Sequence, residues 1–299
     1  MASLGTLLRD VWLIGWFDVR ESLRSRRALS LVALYLFVST LSAFAFVRAV
    51  QTAESKLAAI AAEASPDQSA LVLGLARSEG YRRILETLTL GDSKLASYLA
   101  SLPPMGLFVT LVMLSMIPWL VALTAADQVA ADLHFRTVRF VVLRTHRAAF
   151  VLGKLLSQVL LVAVVTGAAL LPSLGLGAYY LQSFDGLATL AFLSQVVPSL
   201  LAYAFAFLGL TSLASQLSGT PGRARALTLL LFFLLWLAGL TSPSSSTVLG
   251  LLAYFSPWQL KMRLIAQEWS LRSLAIGQAL AFGFAFTALG YLIFRRRDL

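Results

Sequence analysis

The chain has no cysteine among its 299 residues, and it contains two histidines, His134 and His146. The lack of cysteine excludes disulfides, thiolate metal sites and cysteine nucleophiles. Neither histidine belongs to an HExxH pattern, so a zinc site of the metalloprotease kind is not indicated. No residue is therefore predicted to be catalytic, to bind a metal or to bind a cofactor directly.

Charge is also scarce, because 13% of the residues are charged while 59% are hydrophobic. Intervals without any charged residue are 28–47, 95–126, 155–184, 186–222, 226–260 and 273–294. Each can supply the ~20 apolar residues with which a helix crosses ~30 Å of hydrocarbon. The sequence predicts an all-α polytopic membrane protein with six transmembrane helices. Their predicted cores are 28–47, 105–126, 153–178, 188–216, 226–242 and 273–294.

Acidic residues are absent from all six predicted cores. An intramembrane enzyme needs nucleophiles, paired carboxylates or metal ligands at membrane depth, and an ion-coupled carrier usually buries an ionisable residue there. Both classes are disfavoured, and the ion-coupled carrier is kept as a minor alternative.

The distribution of basic residues predicts the orientation. With six spans both termini lie on one side, and that side receives fifteen of the 24 lysines and arginines. The positive-inside rule makes it the cytoplasmic side, so the prediction is N-in and C-in. The net charge of +10 is then interpreted as a preference for anionic lipid, and no aromatic and basic module indicates nucleic-acid binding. The fifteen are Arg9, Arg20, Arg24, Arg26, Arg27, Arg136, Arg139, Arg144, Arg147, Lys154, Arg223, Arg225, Arg295, Arg296 and Arg297.

Residues 1–27 are predicted to form an amphipathic helix in the cytoplasmic interface of the membrane, ahead of a transmembrane domain at 28–299. Apolar residues recur there at helical spacing, and tryptophans suit the headgroup layer. A helix packed on a partner protein is the alternative. The recurring residues are Leu4, Leu8, Trp12, Trp16, Val19 and Leu23.

Two segments are predicted to lie on the outer side. Residues 48–104 are rich in Ala, Leu, Glu and Lys, which favours helices, and they hold too few large apolar residues for a core of their own. Residues 243–272 mix Tyr, Trp, Lys and Arg, which is typical of an interfacial or re-entrant helix.

The segment 127–154 is dense in polar and basic residues and lies between two long apolar runs. Its charges require water, headgroups or a protein partner. No phosphate-binding loop occurs in the chain, because Gly153-Lys154 lacks the upstream glycine and the following hydroxyl. An ATP-driven machine would therefore need a separate ATPase, and this cytoplasmic segment is the best candidate for receiving its motion. Anchoring to anionic lipid is the alternative for each arginine.

The order of these features resembles the permease subunit of an ABC transporter of the type-two exporter class. After span two that family shows an acidic residue, then Gly-Thr, an arginine and Gly-Lys. Asp132, Thr137, Arg147 and Gly153-Lys154 stand at those places, whereas Arg136 replaces the usual glycine. Thr145-His146 replaces a Pro-hydroxyl pair, Tyr254-Phe255-Ser256-Pro257 resembles an aromatic-Ser-Pro element of the family, and 294–299 resembles its C-terminal ending.

The resemblance implies a coupling helix in 127–154 and a nucleotide-binding subunit that carries ATP and Mg. It also implies a second permease, as a copy or a paralogue, and an ATP-driven export of cargo. The scarcity of charge in the spans favours an apolar or amphipathic cargo, although the sequence does not define the substrate path. The coupling residues implied are Asp132, Arg136, Thr137, Arg139, Arg144, Arg147 and Lys154.

One alternative within this architecture stays open. A non-transporting member would transmit ATPase motion to an outer or periplasmic accessory protein, for which the segment 48–104 would be suited. Under either alternative the chain is expected to be a multi-pass protein of a cell membrane, in contact with lipid, and the bacterial inner membrane is the expected location.

Overall fold

The structure is a computed structural model that describes residues 4–63, 86, 93–181, 184–240, 248–254 and 256–297. All the regular elements in these ranges are helical. They are α1 (Leu4–Arg24), α2 (Arg26–Glu63), α3 (Ser93–Ser101), α4 (Pro104–Ala125), α5 (Gln128–His134), α6 (Thr137–Val142), α7 (Arg147–Tyr180), α8 (Gly186–Leu217), α9 (Pro221–Gly239), α10 (Val248–Ala253) and α11 (Trp269–Arg295).

Six stretches of helix are long and apolar enough to cross a membrane, which confirms the predicted six-span, all-helical architecture. They are Ala28–Thr52, Pro104–His134, Arg147–Tyr180, Gly186–Leu217, Pro221–Gly239 and Trp269–Arg295. The first belongs to α2, whose 38 residues extend about 57 Å at 1.5 Å per residue. Because that length exceeds the hydrocarbon thickness, α2 carries the chain from the first span well into the predicted outer segment. Of the predicted outer segment 48–104, the structure describes the end of α2, residue 86, and residues 93–104 with the helix α3, whereas residues 64–85 and 87–92 lie outside the described residues.

The helix α8 lies at the centre of the bundle. In its most apolar stretch of 18 residues, 72% is buried inside the bundle, compared with 22% in the corresponding stretch of α11. The two helices nevertheless cross closely, because a Cβ at Gly209 would overlap the backbone of Gly283. Glycines at such a crossing permit the backbone approach on which helix packing in membranes depends. This contact fixes the last span against the core.

The chain between α10 and α11 packs into the bundle at the end opposite to the termini. It contains two short 3₁₀ turns, Pro257–Leu260 and Arg263–Ile265, where the sequence predicted an interfacial or re-entrant helix. The Trp258 ring meets the edges of Phe207 and Phe232, at centroid distances of 4.5 and 5.7 Å. Ser256 Oγ donates a hydrogen bond of 2.8 Å to the carbonyl of Leu235. These contacts pack the two turns against the fourth and fifth spans.

Candidate functional site

The predicted coupling segment 127–154 is divided among three helices. The first, α5, follows α4 almost without interruption, and Ser215 Oγ on α8 accepts 2.9 Å hydrogen bonds from the backbone N–H groups of Val129 and Ala130. These N–H groups are in the first turn of α5, where a helix has no internal acceptors. The last eight residues, from Arg147 onward, already belong to α7. The coupling segment outside the spans is therefore α5, α6 and their connections.

The turn between α5 and α6 is made by Arg136, whose φ of 59° and ψ of 14° are left-handed. A glycine enters this region without a steric penalty, whereas a side chain costs roughly 1–2 kcal/mol. The resemblance expects glycine here, and the backbone supplies the physical reason. In this chain the arginine keeps the turn at some cost in strain.

A small hydrophobic cluster lies beneath α6 and is separate from the main core of the bundle. Its buried members come from four helices: α5, α6, the start of α7 and the end of α11. The rings of Phe150 and Phe294 are 6.1 Å apart, and Val138 on α6 is 1% exposed beside them. The cluster therefore joins α6 by direct packing to the third and sixth spans. The buried residues are Val129, Val138, Phe150, Val151 and Phe294.

A buried ion network joins α5, α7 and α1. Lys154 Nζ lies 2.5 Å from Asp18 Oδ1 and 2.8 Å from Asp132 Oδ2. Ser157 donates to the other oxygen of Asp18, and Thr137 Oγ1 donates a 2.7 Å bond to Asp132 Oδ1. Because the Lys154 and Asp18 side chains are each 13% exposed, all three charges depend on one another for compensation. The three members are referred to below as the ion network.

The N-terminal helix α1 packs along α7 through a pair of glycines. A Cβ on Gly15 would lie 3.2 Å from the Gly153 carbonyl oxygen, and a Cβ on Gly153 would lie 2.7 Å from Ile14 Cβ. The two backbones are therefore in near contact, and the ion network forms beside this crossing. The opposite face of α1 exposes Trp12, Trp16 and other large apolar residues. The helix α1 therefore packs on the bundle with one face and exposes large apolar side chains on the other, and its place in the membrane interface stays a prediction.

Two arginines cap the ends of spans. Arg147 Nη1 donates to the carbonyls of Arg295 and Arg297, at 2.7 and 3.1 Å. Arg297 in turn donates to the carbonyls of Ser218 and Leu217, at 3.2 and 2.5 Å. Basic side chains at helix C-termini satisfy carbonyls that have no internal donor. The Arg147 side chain thus ties the start of α7 to the end of α11.

A third tie joins α9 to the junction between α4 and α5. Arg225 Nη2 lies 2.5 Å from Asp127 Oδ2, and the Asp127 side chain is 11% exposed. Together with the ion network and the arginine caps, this pair brings four charge-rich segments to one end of the bundle, here called the basic end. These segments are the end of α1, residues 127–154, the turn before α9 and the end of α11.

Large apolar side chains point away from the bundle at the basic end. Phe135, Phe140 and Leu143 are 71%, 74% and 83% exposed. Arg136, Arg139 and Arg144 lie among them and are exposed as well. This mixture, called here the docking surface, consists of Phe135, Arg136, Arg139, Phe140, Leu143 and Arg144.

The residues predicted to couple to an ATPase therefore fall into two groups. Arg136, Arg139 and Arg144 are on the docking surface, whereas Asp132, Arg147 and Lys154 bind other parts of this chain. Thr137 is exposed, but its hydroxyl is held by Asp132. The sequence analysis missed the apolar half of the surface. The available signal was the presence of large apolar residues between charges in a segment too short to span a membrane.

Within the described ranges no three His, Asp or Glu side chains converge as metal ligands. The ion network holds two carboxylates, but a lysine already compensates them. The site therefore combines an exposed surface of apolar and basic side chains, a buried hydrophobic cluster and an ion network.

Comparison with known families agrees with this geometry. The family model described as ABC-2 family transporter protein matches residues 12–299, which includes all six spans and the whole of the basic end. A comparison with curated proteins gives no significant match. The chain belongs to the ABC-2 transporter family and is a multi-pass membrane permease subunit of an ABC transporter.

Proposed function

We propose that this permease couples a separate ATPase to its spans through the docking surface, and that the assembly exports an apolar or amphipathic cargo. The family implies an ATPase partner. The proposal adds the surface that receives the partner, the direction of transport and the class of cargo. A second permease, as a copy or a paralogue, completes the expected assembly, in which the ATPase subunits carry ATP and Mg.

The observation that carries the proposal is the exposure of Phe140 and Leu143 at the basic end. Apolar side chains exposed between arginines are costly to leave in water and are typical of protein contacts. The neighbouring arginines, Arg139 and Arg144, favour a partner surface with acidic residues at its rim. An apolar cleft with an acidic rim on the ATPase would complement this surface.

The interior contacts supply a route for the motion. On the side of α6 opposite to the docking surface, Val138 packs in the cluster with Phe150 on α7 and Phe294 on α11. Packed cores transmit displacement because they have little free volume. A push on α6 would therefore tilt the third and sixth spans together, and the ion network would carry part of it to α1.

Cysteine cross-linking tests the docking surface, since the native chain has no background thiol. Phe140→Cys should cross-link in membranes to a protein that binds an azido-ATP analogue, whereas Ser97→Cys, exposed at the opposite end, should not. Phe140 is a better position than Thr137, because a change at Thr137 would also remove its bond to Asp132.

A charge reversal provides the functional arm of the same test. Arg139→Glu should weaken retention of the ATPase during purification by about tenfold, while Arg263→Glu, an exposed arginine near the opposite end, should not. If Arg139→Glu lowers affinity for anionic vesicles and leaves ATPase retention unchanged, the surface is a lipid anchor and the proposal is wrong. If the native protein retains the ATPase but moves no cargo in vesicles, the result supports the non-transporting alternative.

A further inference from the structure

Lys261 is placed unusually for a lysine next to a membrane-spanning bundle. It follows the 3₁₀ turn Pro257–Leu260, which packs against the fourth and fifth spans, and its Nζ lies 2.6 Å from Ser115 Oγ on α4. Ser115 is eleven residues after Pro104, which is about 16 Å along the helix and close to half of the hydrocarbon thickness. Lysines near span ends usually extend their ammonium groups outward to water. Here the ammonium is directed inward.

The ammonium group has no anionic partner in the described part of the chain. Its contact there is a neutral hydroxyl, and none of the ion pairs that the described residues form includes Lys261. Holding a charged group away from water without an opposite charge is unfavourable, so an anion beside it would be stabilising. A cation held in this way is poised for an anion that comes from outside the chain.

The surroundings of Ser115 indicate what kind of molecule would bring that anion. Trp119 and Leu123 follow Ser115 at intervals of four residues, and they are 57% and 43% exposed. Residues at this spacing share one face of a helix. The face therefore presents an ammonium group at mid-depth and a strip of apolar surface that continues toward the basic end.

We propose that Lys261 binds the phosphate or carboxylate of an anionic amphipathic molecule, whose apolar chain lies against Trp119 and Leu123. This extends the proposed function by assigning a negative charge to the cargo, and it rests on that function only for the claim that the bound molecule is transported. The ligand would be oriented with its charged end away from the basic end. With N-in, C-in topology, this is the orientation of a lipid in the outer leaflet.

Fluorescence quenching in nanodiscs of phosphatidylcholine provides a direct test. Brominated phosphatidylglycerol, brominated phosphatidylcholine or a brominated fatty acid is added, and the Trp119 signal is taken as the difference between the native protein and Trp119→Phe. The native protein should be quenched at lower mole fractions of the two anionic probes. In Lys261→Gln this preference should fall about tenfold, whereas Lys261→Arg and Arg263→Gln should retain it.

The outcomes separate the possible ligands and the rival explanation. A loss for both anionic probes supports the proposal in general form, and a loss for one identifies the phosphate or the carboxylate as the recognised group. An equal loss in Arg263→Gln, or none in Lys261→Gln, would show that Lys261 is only a structural contact of Ser115 and would overturn the proposal. If Lys261→Gln does not fold, Lys261→Met decides, because it keeps the apolar stem and lacks the ammonium, so it should lose the preference.

The assay contains no ATPase, so its result does not depend on docking. Arg139→Glu should bind the anionic probes normally even if it no longer retains the ATPase. Conversely, normal ATPase retention together with a lost anionic preference in Lys261→Gln would leave the docking surface in place.

Discussion

Replacing Lys154 by methionine should destabilise the protein more than any loss of a surface charge. Methionine has a similar length and preserves the apolar stem, so the change removes chiefly the ammonium group. It leaves Asp18 and Asp132 facing the space that the ammonium occupied, at contacts that were 2.5 and 2.8 Å long. Both carboxylates would then be partly buried, of like charge and without a cation.

The expected loss of unfolding free energy is about 3 kcal/mol. Removal of one partner from a buried ion pair costs about 3–5 kcal/mol, because the remaining charge is desolvated without compensation. The lower end applies because the Asp132 side chain is 24% exposed, so that water can reach part of it. Hydrogen bonds from Ser157 and Thr137 remain and stabilise the carboxylates further.

Thermal unfolding in detergent, followed by tryptophan fluorescence, measures the effect. Trp12 and Trp16 are on α1, so release of this helix from α7 should appear early in the transition. Arg9→Met is the matched control, since Arg9 is 73% exposed in a 3.9 Å pair with Asp10 and should contribute less than about 1 kcal/mol.

A neutral version of the network distinguishes charge from packing. Lys154→Met combined with Asp18→Asn and Asp132→Asn should recover most of the lost stability, because no unpaired charge remains. The reasoning would be refuted if Lys154→Met were as stable as Arg9→Met. It would also be refuted if the neutral variant were no better than the single change, since packing alone would then explain the loss.

Three further changes test other parts of the structure. Gly153→Ala should lower the unfolding free energy by about 1–3 kcal/mol, because its methyl group would overlap α1. Gly167→Ala, on the same helix but with open space beside it, is the control and should not lower it. Equal losses in the two variants would contradict the close crossing of α1 and α7. Arg136→Gly should raise the unfolding free energy by about 1 kcal/mol in the same assay, and a decrease would show that the left-handed turn is not strained. A cysteine at Ser97 should react with an impermeant thiol reagent added outside intact cells, whereas a cysteine at Ser25 should not. The reverse pattern would contradict the predicted N-in, C-in topology.

The six spans could be predicted from the sequence because the signal is one of composition. A charge-free run of about 20 residues has few structural alternatives, so the positions of all six helices were found within a few residues. Helix ends were less accurate where polar residues continue a helix. Arg147 is an example, because the predicted third core began at residue 153 whereas α7 begins at Arg147, whose charge is compensated by carbonyls distant in sequence.

The coupling site was predictable as a segment but not as a set of roles. A basic residue between two spans can bind lipid, a partner protein or its own chain, and the sequence does not distinguish among these. The roles of Lys154 and Arg147 depend on Asp18 and on the carbonyls of Arg295 and Arg297, more than 130 residues away. Such pairings require the fold.

Arg136 illustrates the opposite case, in which a departure from a family pattern became informative once the backbone was known. The glycine expected at this position corresponds to a left-handed turn, and the structure has that turn although the residue is an arginine. The turn is what points Phe135 outward on one side and starts α6 over the hydrophobic cluster on the other. An exposed arginine at this corner adds a positive charge to the docking surface at the cost of local strain. If the surface binds an ATPase with an acidic rim, Arg136→Gly should therefore make the protein more stable and its hold on the ATPase weaker, and these two opposite effects would not be expected from a purely structural turn.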